Sequence, residues 1–179
     1  EDLHEETRKA LEGVRERKSE DIEGAWRRYK LYMDGSGGGP DAEPSWAVAI
    51  LAERWDGGDE FIGVIGEEVA KEFVYEGVYD SFWLGGVEKA YACVAELTAA
   101  IWGLLWCMQA DPILPCEMHA DTLLVVGIAE ARYFTQSLGS ISETLRQLCL
   151  MAQQTLQVEW RHVKAHSGDA WNECVDTVA

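Results

Sequence analysis

Positive charge is scarce in this chain of 179 residues: 15 lysines and arginines stand against 32 acids, a formal net charge of -17. The shortage is uneven. Residues 1–30 hold nine acids and eight bases, while the remainder holds 23 acids and seven bases. Such a body repels phosphates and attracts cations. Paired cysteines are also missing. None of Cys93, Cys107, Cys116, Cys149 and Cys174 lies at C-x-x-C spacing and the count is odd, so neither a zinc site nor a disulfide framework is indicated. They read as small buried hydrophobes of a reducing, intracellular compartment, cytoplasm or nucleus. No apolar run reads as long enough to span a membrane, there is no signal-peptide pattern, and no membrane partner is expected. No internal repeat or low-complexity segment is visible.

What is present suits one compact domain: 47% of the residues are hydrophobic. Residues 1–25 read as a charged helical linker or extension, and residues 26–179 as the domain. The chain begins with Glu rather than Met and stops inside an apparent helix, so a segment of a longer product is expected. From Trp26 on, "WRRYKLYMD", "SWAVAILAERW" and "EFIGVIGEEV" read as three strands, with "DGGD" (residues 56–59) a hairpin turn between the second and third. Residues 67–90 lack a clean period and read as an insertion covering one face. "ACVAELTAAIWGLLWCMQA" is a helix apolar nearly all round, hence buried. A short strand, two helices, the alternating strand "LQVEWRHVKAH" and a last helix capped by Asp169 complete the order β-β-β-α-β-α-α-β-α. That order implies an α/β fold, a five-stranded mixed sheet with helices on its faces.

Four acids sit where folding alone does not ask for them. Asp34 ends the first strand beside Gly35, where a turn-initiating Asp is the plain alternative. Glu96 is the first acid of the apolar helix, where the helix dipole is an alternative. It has small neighbours and no base within a turn, and a buried carboxylate without a partner needs a cation. Asp121 lies between a strand and a helix, where an N-cap is a strong competitor. Asp176 lies late in the last helix, where an acid opposes the dipole. Converging, the four would form an oxygen-rich site of the kind hard divalent cations choose. A pair of such ions clamps the attacking and leaving oxygens of a phosphate ester. The glycines after Asp34 would then let a substrate backbone come close.

Four stretches carry a family resemblance, in order: "YMDGSGGG", "AELTAAIWGLLW", "MHADTLLVV" and "VEWRHVKAHSGDAWNECVDTVA". The sequence resembles ribonuclease H of type 1, including the ribonuclease H domains of reverse transcriptases and retroelements, over Tyr29 to Ala179 with gaps at residues 55–92. The resemblance implies the ribonuclease H-like fold, with three antiparallel strands followed by two parallel ones and helices on both faces. It implies that Asp34, Glu96, Asp121 and Asp176 hold two Mg²⁺ ions, with Mn²⁺ able to substitute. The implied reaction is hydrolysis of the RNA strand of an RNA–DNA hybrid, leaving 5′-phosphate and 3′-hydroxyl ends. His166 matches the family's mobile-loop histidine, which assists proton transfer or product departure. Backbone at Gly35, Ser36 and Gly37 would lie near the scissile phosphate, and Asn172 would orient water. His162 and His119 read as structural, as do the tryptophans, with Trp171 the one candidate for a place near substrate.

The sequence also departs from the family. Cys93-Val94-Ala95 stands where an Asn or Arg often precedes the helix Glu, and Thr122 replaces a Ser. No basic cluster lies between the third and fourth acids: residues 122–165 offer Arg132, Arg146, Arg161 and Lys164. With phosphate contacts so few, affinity for a hybrid is expected to be weak and salt-sensitive, and a neighbouring polymerase or nucleic-acid-binding domain is expected to deliver it. A non-catalytic scaffold or interaction module is the competing reading. Another nuclease on the same fold, a resolvase or integrase, is a third.

Overall fold

The computed structural model describes residues 26–37, 43–69, 73–76, 81–85, 92–133, 138–165 and 167–179. The expected N-terminal helix falls outside them. The strands are β1 (Trp26–Ser36), β2 (Ser45–Arg54), β3 (Asp59–Glu68), β4 (Phe73–Glu76), β5 (Ser81–Gly85), β6 (Cys116–Ala120) and β7 (Val158–His162). The helices are α1 (Ala92–Gln109), α2 (Leu123–Ala129), α3 (Gly139–Ala152) and α4 (Ala170–Val178). Five strands form one sheet in the order β3-β2-β1-β6-β7. The β1–β2 and β2–β3 pairs are antiparallel, and the β1–β6 and β6–β7 pairs are parallel. This is the mixed sheet expected from the order of elements.

Alternation along β1 sorts its side chains between two layers. Leu31 and Met33 join the large core beneath α1, while Tyr32 joins a smaller one with Ala47, Ala49, Leu51 and Val175 of α4. Central β2 is buried on both faces and reads accordingly as an almost unbroken apolar run. Helix α1 lies between the sheet and the remaining helices, touching β1, β2, β6, α2 and α3, which is why it is apolar all round. Its 18 residues and mean hydropathy of 1.4 do make it long and apolar enough to cross a membrane, contrary to the expectation that no such run exists. Eleven of those residues are buried inside the protein. The core helix of a sheet-and-helix fold meets the same composition.

The irregular segment after β3 contributes an antiparallel hairpin of β4 and β5. Strand β5 runs beside α3 and α1, so the insertion covers the helical layer and leaves the sheet's other face to α4. The turn between β2 and β3 places Gly57 at φ +87, where a side chain would be strained. The five cysteines are free thiols, and all but Cys93 are buried. Trp102 stacks on Trp46 and Trp106 meets Tyr29 edge-on, so both serve packing. Trp171 stacks on Phe61 and fastens α4 to β3.

Away from α4, the same sheet face carries a ladder of ion pairs. Arg28 and Glu53 are direct cross-strand partners, with Nε and Oε2 2.5 Å apart. Arg28 also reaches Glu117 at 2.8 Å, Lys30 bridges Glu53 and Asp59 at 3.1 and 2.9 Å, and Arg161 closes on Glu117 at 3.3 Å. His119 is buried, stacks on Tyr32 and meets Glu117 at 2.8 Å, a packing role as expected. The Arg28 hydrogen bond, with help from Lys30, holds the Glu53 carboxyl down at about 2 although its burial acts the other way. A depressed carboxyl stabilises the fold above its ordinary 4.5 and loses that contribution as the pH falls toward 2. Glu53→Gln should therefore destabilise the protein by about 2–3 kcal/mol at pH 7, since its partners are only partly buried. Denaturant melts should show the gap to wild type closing between pH 4.5 and 2.

Candidate metal and active site

The register sets the site. Met33 pairs with Ala120 at the end of the parallel β1–β6 ladder, so Asp34 and Asp121 emerge side by side at the carboxyl ends of two central strands. Glu96 comes from α1, which crosses over the same end. One oxygen from each of Asp34, Glu96 and Asp121 lies within 4.8 Å of the others. From the far side, α4 brings Asp176 within hydrogen-bonding reach of Asp34.

The plain alternatives for these acids fare differently. Asp34 lies within β1 and is 8% exposed, so it starts no turn. Helix α1 has no acid in its first turn, so the dipole at its start does not explain Glu96. The N-cap of α2 is Thr122, whose hydroxyl accepts from Leu124 N–H at 3.2 Å, which releases Asp121 from capping. The expected cap on α4 does form: Asp169 accepts from the N–H groups of Trp171 and Asn172 at 3.1 Å.

Gly35 is bare for a reason the sequence reading missed. A Cβ there would stand 2.2 Å from Glu96 N, 2.3 Å from Ala95 C and 2.7 Å from Ala95 Cβ. The backbone of α1 rests on the backbone of β1 at this residue, so the space assigned to an approaching phosphate is taken by the helix. Gly35 N–H donates to Asp34 Oδ1 at 2.8 Å and orients that carboxylate. Ser36 is half-buried and Gly37 exposed, both at the rim beside the start of α1.

Burial and like charge act together on these acids. Burial, then Asp121 and Asp176, push the Asp34 carboxyl well above the usual carboxylate range, against the pull of Gly35 N–H. Burial, then Asp121 and Asp34, push Glu96 up to about 7, while a hydrogen bond from Thr122 acts in the opposite direction. Among the described residues, no ion pair to Lys or Arg compensates Asp34 or Glu96. A cluster of hard carboxylate oxygens, raised in pKa by burial and by mutual repulsion, fits a small divalent cation.

Other expected site residues are placed less directly. His166 lies outside the described residues. Asn172 was expected to orient water at the site. The structure buries it to 2% exposure, with Oδ1 shielded and without a hydrogen-bond partner. It lies among the buried residues of α4. Two residues read as secondary come forward instead. Thr122 joins the start of α2 to Glu96, and His162 Nε2 lies 2.9 Å from the backbone oxygen of Asp121. The sequence signal for His162 was its position at the end of a strand parallel to the one that delivers Asp121.

No protein-family model matches the sequence, and no curated protein matches it. Solved structures do. The N-terminal RNase H domain of a Mycobacterium tuberculosis protein, solved as a fusion with maltose-binding protein, matches at TM-score 0.55 and 13% identity, over 84% of this chain and 97% of that one. LC11-RNase H1, isolated from compost by a metagenomic approach and solved with an RNA/DNA hybrid, matches at 0.51 and 16%, over 84% and 98%. The protease–reverse transcriptase of prototype foamy virus matches at 0.55 and 16%, over 84% of this chain and 20% of that one. The chain has the ribonuclease H fold. Asp34, Glu96 and Asp121 meet at the carboxyl ends of the central strands, with Asp176 beside Asp34, where ligands collect in open α/β sheets.

Two consequences for stability follow from the strained acids. A carboxyl raised in the folded state stabilises at low pH and loses that contribution as the pH rises, so the metal-free protein should weaken between pH 4.5 and about 7 on account of Glu96. Asp34→Asn should stabilise the metal-free protein by about 1–3 kcal/mol at pH 8, by removing one buried repelling charge. Thermal melts with and without Mg²⁺ check both: wild type should gain stability with the ion at pH 8, and the variant should not.

Proposed function

We propose that this protein is a ribonuclease H, a metal-dependent endonuclease that cuts the RNA strand of RNA–DNA hybrids. The observation that carries the reading is the convergence of Asp34, Glu96 and Asp121 within 4.8 Å, with Asp176 at Asp34's side, at the functional end of a ribonuclease H fold. These four acids would hold two Mg²⁺ ions, or Mn²⁺ in their place. Bound there, the ions supply positive charge to the attacking and leaving oxygens of a phosphodiester. The chain's own groups do the placing. Gly35 N–H fixes the Asp34 carboxylate, Thr122 fixes Glu96, and the strand ends fix Asp121. Ser36 and Gly37 form the rim that the hybrid would meet, and the 2′-hydroxyl distinguishes RNA there. Water adds to phosphorus, the bond to the 3′ oxygen breaks, and a proton reaches that oxygen with assistance from His166. The products are a 5′-phosphate and a 3′-hydroxyl.

The charge of the molecule bears on how the hybrid is delivered. Arg28, Lys30, Arg54, Arg132 and Arg161 each lie within 3.3 Å of a carboxylate, so five of the eight bases among the described residues are already paired. A neighbouring polymerase or nucleic-acid-binding domain would supply the missing grip, as the match to part of a viral protease–reverse transcriptase suggests. The same net charge of -17 favours the second reading, a non-catalytic scaffold module. Incubation with labelled hybrid, single-stranded RNA and duplex DNA in low salt with Mg²⁺ or Mn²⁺ separates the two. Cutting of hybrid alone, falling to background in Asp34→Asn and fading steeply as salt rises, is expected. A folded protein that cuts none of the three, with hybrid held in place by a fused basic domain, would leave the scaffold.

A further inference from the structure

Asp121 occupies a gap between two hydrogen-bond ladders. Strand β6 ends at Ala120 and helix α2 begins at Leu123, so Asp121 lies between the two repeats. Strand β7 and the residue after it reach both carbonyls there. Val163 N–H donates to the oxygen of Ala120 at 2.9 Å, continuing the strand pairing. One residue further on, His162 Nε2 lies 2.9 Å from the oxygen of Asp121. A carbonyl only accepts, so Nε2 carries the hydrogen and donates. Successive carbonyls leading into the carboxylate are thus both fastened to the edge strand. The other side of Asp121 is fastened by Thr122, which caps α2 and donates to Glu96.

We infer that His162 is a positioning residue that holds the Asp121 carboxylate in register with Asp34 and Glu96 through the backbone of Asp121. The inference deepens the proposed metal site and rests on that reading. The ring is exposed, and water can replace its hydrogen bond once it is removed, so the fold does not depend on it. What depends on it is the freedom of one ligand's peptide. Groups that orient a ligand in this way govern metal affinity by about 10–100-fold.

The test is calorimetric titration of the whole chain with Mn²⁺ for wild type, His162→Ala, His162→Phe and His162→Gln. The expected result is a loss of affinity of about 10-fold for Ala and Phe. Gln, whose amide keeps a donor on a side chain of similar reach, is expected to stay within about 3-fold of wild type. Melting temperatures should agree among the four proteins. On hybrid, KM should be unchanged and the lost turnover recovered at saturating Mn²⁺. If His162→Phe binds Mn²⁺ as wild type does, or if His162→Gln fails as badly as His162→Phe, the inference is wrong while the metal site stands. If wild type takes up no Mn²⁺, the metal-site reading itself falls, and this inference with it.

Discussion

The contact of the α1 backbone with Gly35 is the constraint on which the site depends. It leaves no room for even a methyl group, and it forces Glu96 of one layer against Asp34 of the other. Bringing two acids together with a third at the edge of a core is electrostatically uphill, and their raised pKa values express that cost. The cost is sustained because the surrounding packing is extensive. Leu31 and Met33 below α1, and Tyr32 with Ala47 below Val175 of α4, fix the two layers that deliver the acids. Strain of this kind persists where the structure around it over-determines the position, and it is characteristic of functional sites.

The distribution of charge follows a related logic. Among the described residues, Arg28, Lys30 and Arg161 are gathered into the ladder around Glu53 and Glu117, at the other end of the sheet face from the acids. There they satisfy buried carboxylates and tie β1, β2, β3, β6 and β7 together. None of that ladder is poised over the metal site. Among the described residues no lysine or arginine pairs with Asp34 or Glu96, and negative charge of that kind draws divalent cations.

Much of this was legible in the sequence. Period-two alternation in "KLYMD", the unbroken apolar run of β2 and the all-round apolar helix announced the sheet and its core helix, because burial on one or two faces writes itself directly into side-chain polarity. Three of the four acids had a plain folding explanation, and they stood out as a set, at strand ends and on facing helices. The contacts that place them were not legible, since they depend on which backbones touch. Gly35 read as room for a phosphate, when it is room for a helix. Asn172 read as a polar group near the acids, and its burial within α4 was not visible from its polarity. His162 read as structural because its partner, Asp121, is 41 residues away. The hairpin of β4 and β5 escaped because its residues carry no clean period, and its place beside α1 and α3 is set by tertiary packing.

The central claim is that Asp34, Glu96 and Asp121 form a divalent-cation site made possible by the glycine contact. Crystals grown with millimolar Mn²⁺ and measured for anomalous diffraction test it most directly. The account predicts anomalous density among these three carboxylates, with Asp176 adjoining it. Well-ordered crystals with no such density there, the acids protonated or paired with lysine or arginine instead, would contradict it.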